Sequence, residues 1–262
     1  VGYHVFGTYK TPRLYPLKDG ADKWLDYNDQ VWPPSLDRNK AMAYEEDVTF
    51  WMSLPRKEAT KSGKPLGVVI LGHGYTGSKT EMFGFHNFFN QMGLAVLAID
   101  SASHGFTLGD KDKTLLKDIF TGQGLGKLAD ALMNNRSRDQ NVDGAEDSGA
   151  DYWTAYAFHT RDVVRQTAVD YMQLVRVLRS WDGKTTWAHD INGNGIADDL
   201  AGDIDGDGVV DVGGDMPITM TGASLGGIMA AVMGGLEPEL DAVLPIAGGG
   251  GLTDVGIRSI QG

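Results

Sequence analysis

The sequence predicts an α/β protein, a mostly parallel sheet flanked by helices, and three observations carry that prediction. Short uninterrupted apolar runs, "LGVVILG" at 66–72, "LAVLAID" at 94–100 and "AVLPIAGG" at 242–249, have the length and composition of strands buried on both faces. Amphipathic stretches of helical period separate them. Strand and helix alternate along the chain, which is the pattern of a parallel sheet wrapped by helices.

Taken in order, residues 1–46 mix aromatics, prolines and charges ("YKTPRLYP", "VWPPSLD") and suit extended edges and loops. "DVTFWMSLP" (47–55) reads as a strand, and "KSGKP" turns the chain into the run at 66–72. Ser78-Lys79-Thr80-Glu81 has capping-box spacing, and Met82, Phe85, Phe88, Phe89 and Met92 recur at helical intervals before Gly93, so a helix with those residues inward is expected. Segment 106–150 is rich in Gly, Asp and Asn with weak periodicity and reads as an excursion over the sheet edge. From about Tyr152 to Trp181 a long helix is expected, with Val164, Ala168, Tyr171, Val175 and Leu178 in one stripe and Arg161, Asp162, Arg165 and Asp170 on other faces. Strand "PITMTG", helix "LGGIMAAVMGG" and the strand at 242–249 complete the order.

At 262 residues and 42% hydrophobic, residues 1–262 are read as a single domain. No apolar run approaches the roughly 20 residues that cross a bilayer. The chain begins at Val1 without Met or a charged-then-apolar leader, which reads as a mature form. Absence of cysteine excludes disulfides and Cys-metal sites. The net charge of −12 disfavours nucleic acid, but it is local: 139–151 holds five acids and 190–215 eight, with no Lys or Arg in either. A local block of carboxylates calls for cations.

The stretch "PITMTGASLGG" sets Gly222-Ala-Ser224-Leu-Gly226 between a strand and a helix. A nucleophile elbow needs this spacing, because the strained backbone at the serine leaves no room for side chains two residues before and after it. The amide of Leu225, at the helix N-terminus, is placed to stabilise an oxyanion. A second donor is expected from "HGYTG" after the strand at 66–72, with the Tyr75 amide as candidate. In a chain with 36 glycines such a match is weak alone, and the strand before it, the helix after it and the earlier Gly-rich loop give it weight.

"VVILGHGYTGSK", "GLAVLAIDSASHG" and "ITMTGASLGG" together resemble the α/β-hydrolase superfamily, and "GYTG" resembles the loop of cutinase-type and other polyester or lipid esterases. "TRDVVRQTAVDYMQLVRVLRS" and "LDAVLPIAGGGGLTD" are similar to large bacterial extracellular lipases. The resemblance covers about residues 47–254 and implies an α/β-hydrolase-type fold, Ser224 as nucleophile, and the amides of Leu225 and Tyr75 as oxyanion donors. It also implies an acid and a histidine on strands after the nucleophile. Here the sequence departs: Asp254 is the only Asp after the strand at 242–249, all six histidines precede Ser224, and 38 residues follow it. The C-terminal strands are therefore expected to be missing, with a C-terminal segment or a second chain completing the fold and supplying the base. His73, His104, His86 and His159 are read as structural, His104 being the alternative base.

Asp190-x-Asn192-x-Asn194-Gly195-x-x-Asp198 and Asp203-x-Asp205-x-Asp207-Gly208-x-x-Asp211 reproduce nine positions of an EF-hand-type calcium loop, 13 residues apart. Oxygens at positions 1, 3 and 5, the carbonyl at 7 (Ile196, Val209) and position 9 converge on one cation, and glycine at 6 makes the turn. Asp139-x-Asn141-x-Asp143-Gly144-x-x-Asp147 is a third match. None has Glu at position 12, where Ala150, Ala201 and Gly214 stand, so Asp151, Asp199 or Asp215 would complete the shells. Calcium is the expected cofactor, folding an insertion at about 186–215, and loops of this kind suit millimolar calcium outside the cytosol.

The function these features predict is a secreted, calcium-stabilised serine ester hydrolase acting through an acyl-enzyme on a small-molecule, lipid or polyester substrate. The alternatives are a catalytically silent binding or structural domain, and a peptidase or amidase on the same fold, since the motifs specify acyl transfer and not the leaving group.

Overall fold

A computed structural model describes residues 1–32, 44–139 and 143–251. Its strands are β1 (Tyr3–Arg13), β2 (Tyr44–Leu54), β3 (Val68–Gly72), β4 (Ala95–Ile99), β5 (Ile218–Ala223) and β6 (Ala242–Ile246). Its helices are α1 (Met82–Gln91), α2 (Asp110–Gly122), α3 (Gly126–Met133), α4 (Ala157–Ser180) and α5 (Leu225–Leu236), with short 3-10 turns at Lys57–Ala59 and Lys79–Glu81. The six strands form one mixed sheet in the order β1-β2-β4-β3-β5-β6. β1, β2 and β4 pair antiparallel in succession, while β4, β3, β5 and β6 run parallel. No helix among the described residues is long and apolar enough to cross a membrane.

The continuous apolar runs of β3 and β4 follow from burial on both faces. Ala95, Leu97 and Ile99 join a large cluster with α4 and α5, whereas Val96 and Ala98 join Trp51, Leu71 and Met82 under α1. Period-2 geometry divides each strand between the two clusters. β6 is an edge strand with Leu244 63% and Ile246 49% exposed. The expected α4 stripe of Val164, Ala168, Tyr171, Val175 and Leu178 is buried.

Three expectations are corrected. In α1 the buried residues are Met82, His86 and Asn90, while Phe85, Phe88 and Met92 are exposed. Polar side chains take the inward face because backbone acceptors wait there: His86 Nδ1 meets Met82 O at 3.0 Å and Asn90 Nδ2 donates to Leu94 O at 2.8 Å. The capping box does not close at Glu81. Ser78 Oγ accepts from Thr80 N instead, and the Glu81 carboxylate accepts from Gly74 N at 3.0 Å. Segment 106–150 contains the α2–α3 hairpin, in which only Ala129 is fully buried.

Asp162 and Asp170 of α4 are also fully buried rather than on outer faces. Asp162 accepts from Trp32 N at 2.8 Å and from Arg161 Nε at 2.7 Å. Asp170 accepts from Thr11 Oγ1 (3.0 Å), Gln166 Nε2 (2.7 Å) and Arg136 Nη1 (2.5 Å). Arg136 also makes a two-nitrogen contact with Glu46, at 3.0 and 2.9 Å. Burial opposes the charge on Arg136, but the Asp170 and Glu46 carboxylates outweigh it and hold the guanidinium charged. This cluster ties β1, β2 and α4 to the chain entering from α3. Replacing one member of a buried ionic group strands the others, so Arg136→Met is expected to cost about 3–5 kcal/mol in urea denaturation at neutral pH. A loss below about 1 kcal/mol would mean that the two carboxylates find other partners or water.

Candidate active site

Ser224 stands between the last residue of β5 and the first of α5, with φ 56° and ψ −117°. A non-glycine residue in this region is strained by about 1–3 kcal/mol. Neighbouring bonds hold it there: Ser224 N donates to Ile246 O at 3.1 Å and Ile228 N donates to Ser224 O at 2.9 Å. The flanking glycines are required by close approach of backbone. A Cβ on Gly222 would lie 2.5 Å from Gly72 O, and one on Gly226 would lie 2.1 Å from the same oxygen. Gly72 is the register partner of Gly222, so the loop after β3 leaves the sheet beside the serine. Ser224 is exposed, and the first helical amides of α5 begin at the buried Leu225.

In that loop Tyr75 is partly buried, its ring 5.8 Å from His104 and 6.4 Å from Trp153. Burial pushes its phenol above the ordinary value. The loops after β3 and β4 are cross-linked by buried polar contacts. Lys79 N and Nζ donate to the two oxygens of Asp100 at 2.7 and 2.6 Å, and Ser101 N donates to His73 Nε2 at 2.9 Å. The sequence carried no signal for the Lys79–Asp100 pair, since either residue alone reads as a surface charge.

All six histidines have other placements. His73 bonds the backbone through both nitrogens. His4 Nδ1 accepts from Trp51 Nε1, His86 bonds Met82 O, and His159 lies between Gln30 O and Asp151. His189 meets Trp187 edge-on. His104 is wholly buried, its Nδ1 on Ala102 O at 2.9 Å and its Nε2 without a partner. No histidine hydrogen-bonds the Ser224 hydroxyl among the described residues. Asp254 and Asn141 lie outside the described residues.

The three acidic loops share one local geometry. The first-position carboxylate accepts from the amide of the sixth-position glycine in each: Asp139 from Gly144, Asp190 from Gly195, Asp203 from Gly208. The fifth-position side chain accepts from the seventh amide: Asp143 from Ala145, Asn194 from Ile196, Asp207 from Val209. All three sixth-position glycines have positive φ, 91°, 85° and 83°. In the third loop Asp147 also pairs through the backbone with Arg138. Asp203, Asp205 and Asp211 each bring one oxygen within 4.8 Å of the others. Lys57 also pairs with Asp205, and burial pushes the Asp211 carboxyl up. In the other tandem loop Asp198 is exposed, whereas the next residue, Asp199, is buried and accepts from Asn192 N at 2.9 Å.

No family model matches the chain, and no curated protein matches it in sequence. Among solved structures it is similar to a highly thermostable carboxyl esterase from Bacillus coagulans, at 13% identity, 91% of this chain, 43% of that one and a TM-score of 0.37. A ferulic acid esterase from Streptomyces cinnamoneus gives 13%, 94%, 59% and 0.43, and an acetyl xylan esterase from Paenibacillus sp. R4 gives 16%, 82%, 52% and 0.36. The chain spans about half the length of these structures. The fold is a mixed, mostly parallel six-stranded sheet flanked by helices.

Burial holds His104 at a pKa of about 3, against 6.5 ordinarily, with the neighbouring His73 adding to the shift. The unfolded chain binds this proton below pH 6.5 and the folded one does not, so the contribution of His104 is intact above 6.5 and lost as pH falls towards 3. The expected slope is about 1.4 kcal/mol per pH unit. His104→Asn keeps a donor for Ala102 O but cannot titrate, and its stability curve between pH 7 and 4.5 should be flatter by that amount. Parallel curves for the two proteins would show that His104 does not carry the effect.

Proposed function

We propose that the protein is a serine hydrolase of carboxylic esters, acting through an acyl-enzyme on Ser224. The observation that carries this reading is the strained Ser224 backbone at a strand-to-helix turn closed by Gly72, Gly222 and Gly226. In the proposed reaction Ser224 Oγ adds to the ester carbonyl carbon while its proton passes to a general base. The carbonyl oxygen becomes an oxyanion held by the amides of Leu225 and Tyr75. Collapse expels the alcohol, which takes the proton from the base, and leaves the acyl group on Ser224. Water, deprotonated by the same base, then adds to the acyl carbon, and the carboxylic acid is released as the bond to Ser224 Oγ breaks and that oxygen takes the proton back from the base. Because the six histidines are engaged elsewhere, the reading assigns the base and its acid to a C-terminal segment or second chain lying beside β6. Small-molecule, lipid and polyester substrates all fit this chemistry.

In the same reading the tandem loops at 190–211 bind calcium and fold the segment between α4 and β5. Its support is the shared loop geometry and the three crowded carboxylates of Asp203, Asp205 and Asp211. Ligand sets without Glu at position 12 suit millimolar calcium, which supports an extracellular address.

Ser224→Ala is expected to abolish labelling by an organophosphonate probe and hydrolysis of a short nitrophenyl ester. Labelling that persists in the variant removes the assignment, and a wild-type protein that neither labels nor hydrolyses with the base-supplying segment or chain present is a silent binding domain. A faster rate on a matched anilide than on the ester would make it an amidase.

Calorimetry should find at least two calcium ions per chain, and chelation should lower the melting temperature by several degrees, because a ion bound only to the folded state stabilises it. No heat of binding at millimolar calcium would leave 190–211 as a solvated acidic loop.

A further inference from the structure

The loop after β3 contains a strained turn whose orientation is fixed from outside. Gly77 N donates to Gly74 O at 3.0 Å, closing a β-turn over residues 74–77. Its third residue, Thr76, has φ 64°, a left-handed value that a β-branched side chain adopts only under constraint. The constraint is legible at His73, 2% exposed. An amide only donates, so the 2.9 Å bond from Ser101 N requires that His73 Nε2 carry no proton. The neutral ring therefore bears its hydrogen on Nδ1, which donates to Gly74 O at 2.7 Å.

Gly74 O and the Tyr75 N–H belong to one rigid trans peptide unit and point in opposite directions. Two donors, His73 Nδ1 and Gly77 N, hold the oxygen, and Glu81 holds the preceding amide. The plane cannot turn, so the direction of the Tyr75 N–H is set by the other end of the same unit.

We infer that His73, in its Nδ1–H form and anchored by Ser101 at the end of β4, is a positioning residue that aims the Tyr75 amide at the developing oxyanion. This rests on the Ser224 hydrolase reading. His73 does not touch the substrate. It acts through the Gly74–Tyr75 peptide, and it makes the geometry of the β3 loop depend on the β4 loop.

Two substitutions separate its two bonds. Asn places an amide nitrogen where His has Nδ1 and can still donate to Gly74 O. Gln places its amide further out, where it can still accept from Ser101 N, but it loses the donor to Gly74 O. The experiment measures kcat and KM of the protein together with the segment or chain that supplies the base, on p-nitrophenyl acetate and on its thionoacetate counterpart. Ser224→Ala is run in parallel, and melting temperature is recorded for each variant. His73→Gln is expected to lower kcat about ten- to a hundred-fold, short of the loss of a whole oxyanion donor, with KM within about two-fold. Its preference for oxygen over sulfur should shrink, because a misaimed amide no longer favours the oxyanion. His73→Asn should recover most of both. Should His73→Gln fold poorly, adding Thr76→Gly frees the turn from strain, and the same losses are read in the double variant. Equal kcat in the Asn and Gln variants, or a loss with an unchanged oxygen-to-sulfur preference, overturns the inference alone. Turnover that is absent from the wild type with the base-supplying segment or chain present, or that survives Ser224→Ala, overturns the hydrolase reading and the inference with it.

Discussion

The contact on which the rest of the site depends is backbone against backbone, where Gly72 at the end of β3 meets Gly222 and Gly226 on either side of Ser224. A single methyl group on Gly226 would fall 2.1 Å from Gly72 O, so the strand, the turn and the first turn of α5 can be this close only without side chains. The left-handed Ser224 backbone follows from that closeness. The first amides of α5 and the loop that leaves β3 are thereby brought to one end of the sheet. The strain at Ser224 is about 1–3 kcal/mol, and it is offset by the bonds to Ile246 O and from Ile228 N and by the burial of Leu225 and Met229 behind it.

Beyond this contact, the ends of β3 and β4 are held by polar groups removed from water. Lys79 with Asp100 and His73 with Ser101 join the two loops, and Arg136 with Glu46 and Asp170 joins the next stretch of chain to β2 and α4. Burying such groups costs several kcal/mol each unless every partner is in place. An arrangement of this kind adds little net stability, but it admits few alternatives in geometry. That suits the proposed task of the β3 loop, to present the Tyr75 amide in a fixed direction.

The acidic loops work by a different principle. Bonds from residue 1 to 6 and from 5 to 7 recur in each loop, and residues just outside the nine, such as Asp199 and Lys57, add further bonds. Gathering several carboxylates in one place has an electrostatic cost. Lys57 meets part of it at Asp205, and a bound divalent cation would meet the remainder.

What the sequence by itself determined was whatever is settled within a few residues. The buried runs of β3 and β4, the stripe of α4, the glycines about Ser224 and the three acidic loops all express spacing along the chain. What only the tertiary structure decided was which polar groups are inside. In α1, His86 and Asn90 took inner positions beside Met82, while Phe89 packs partly against the core and Phe85 and Phe88 are exposed. Asp162 and Asp170 went into the core, and α2 and α3 formed where periodicity was weak. For the charged groups and His73 the reason lies in where the partners come from. Arg136 meets Glu46 across 90 residues and Asp170 across 34, and His73 meets Ser101 across 28. An apolar side chain is buried by its own chemistry, whereas a charged one is buried only if its counterpart arrives from elsewhere in the fold.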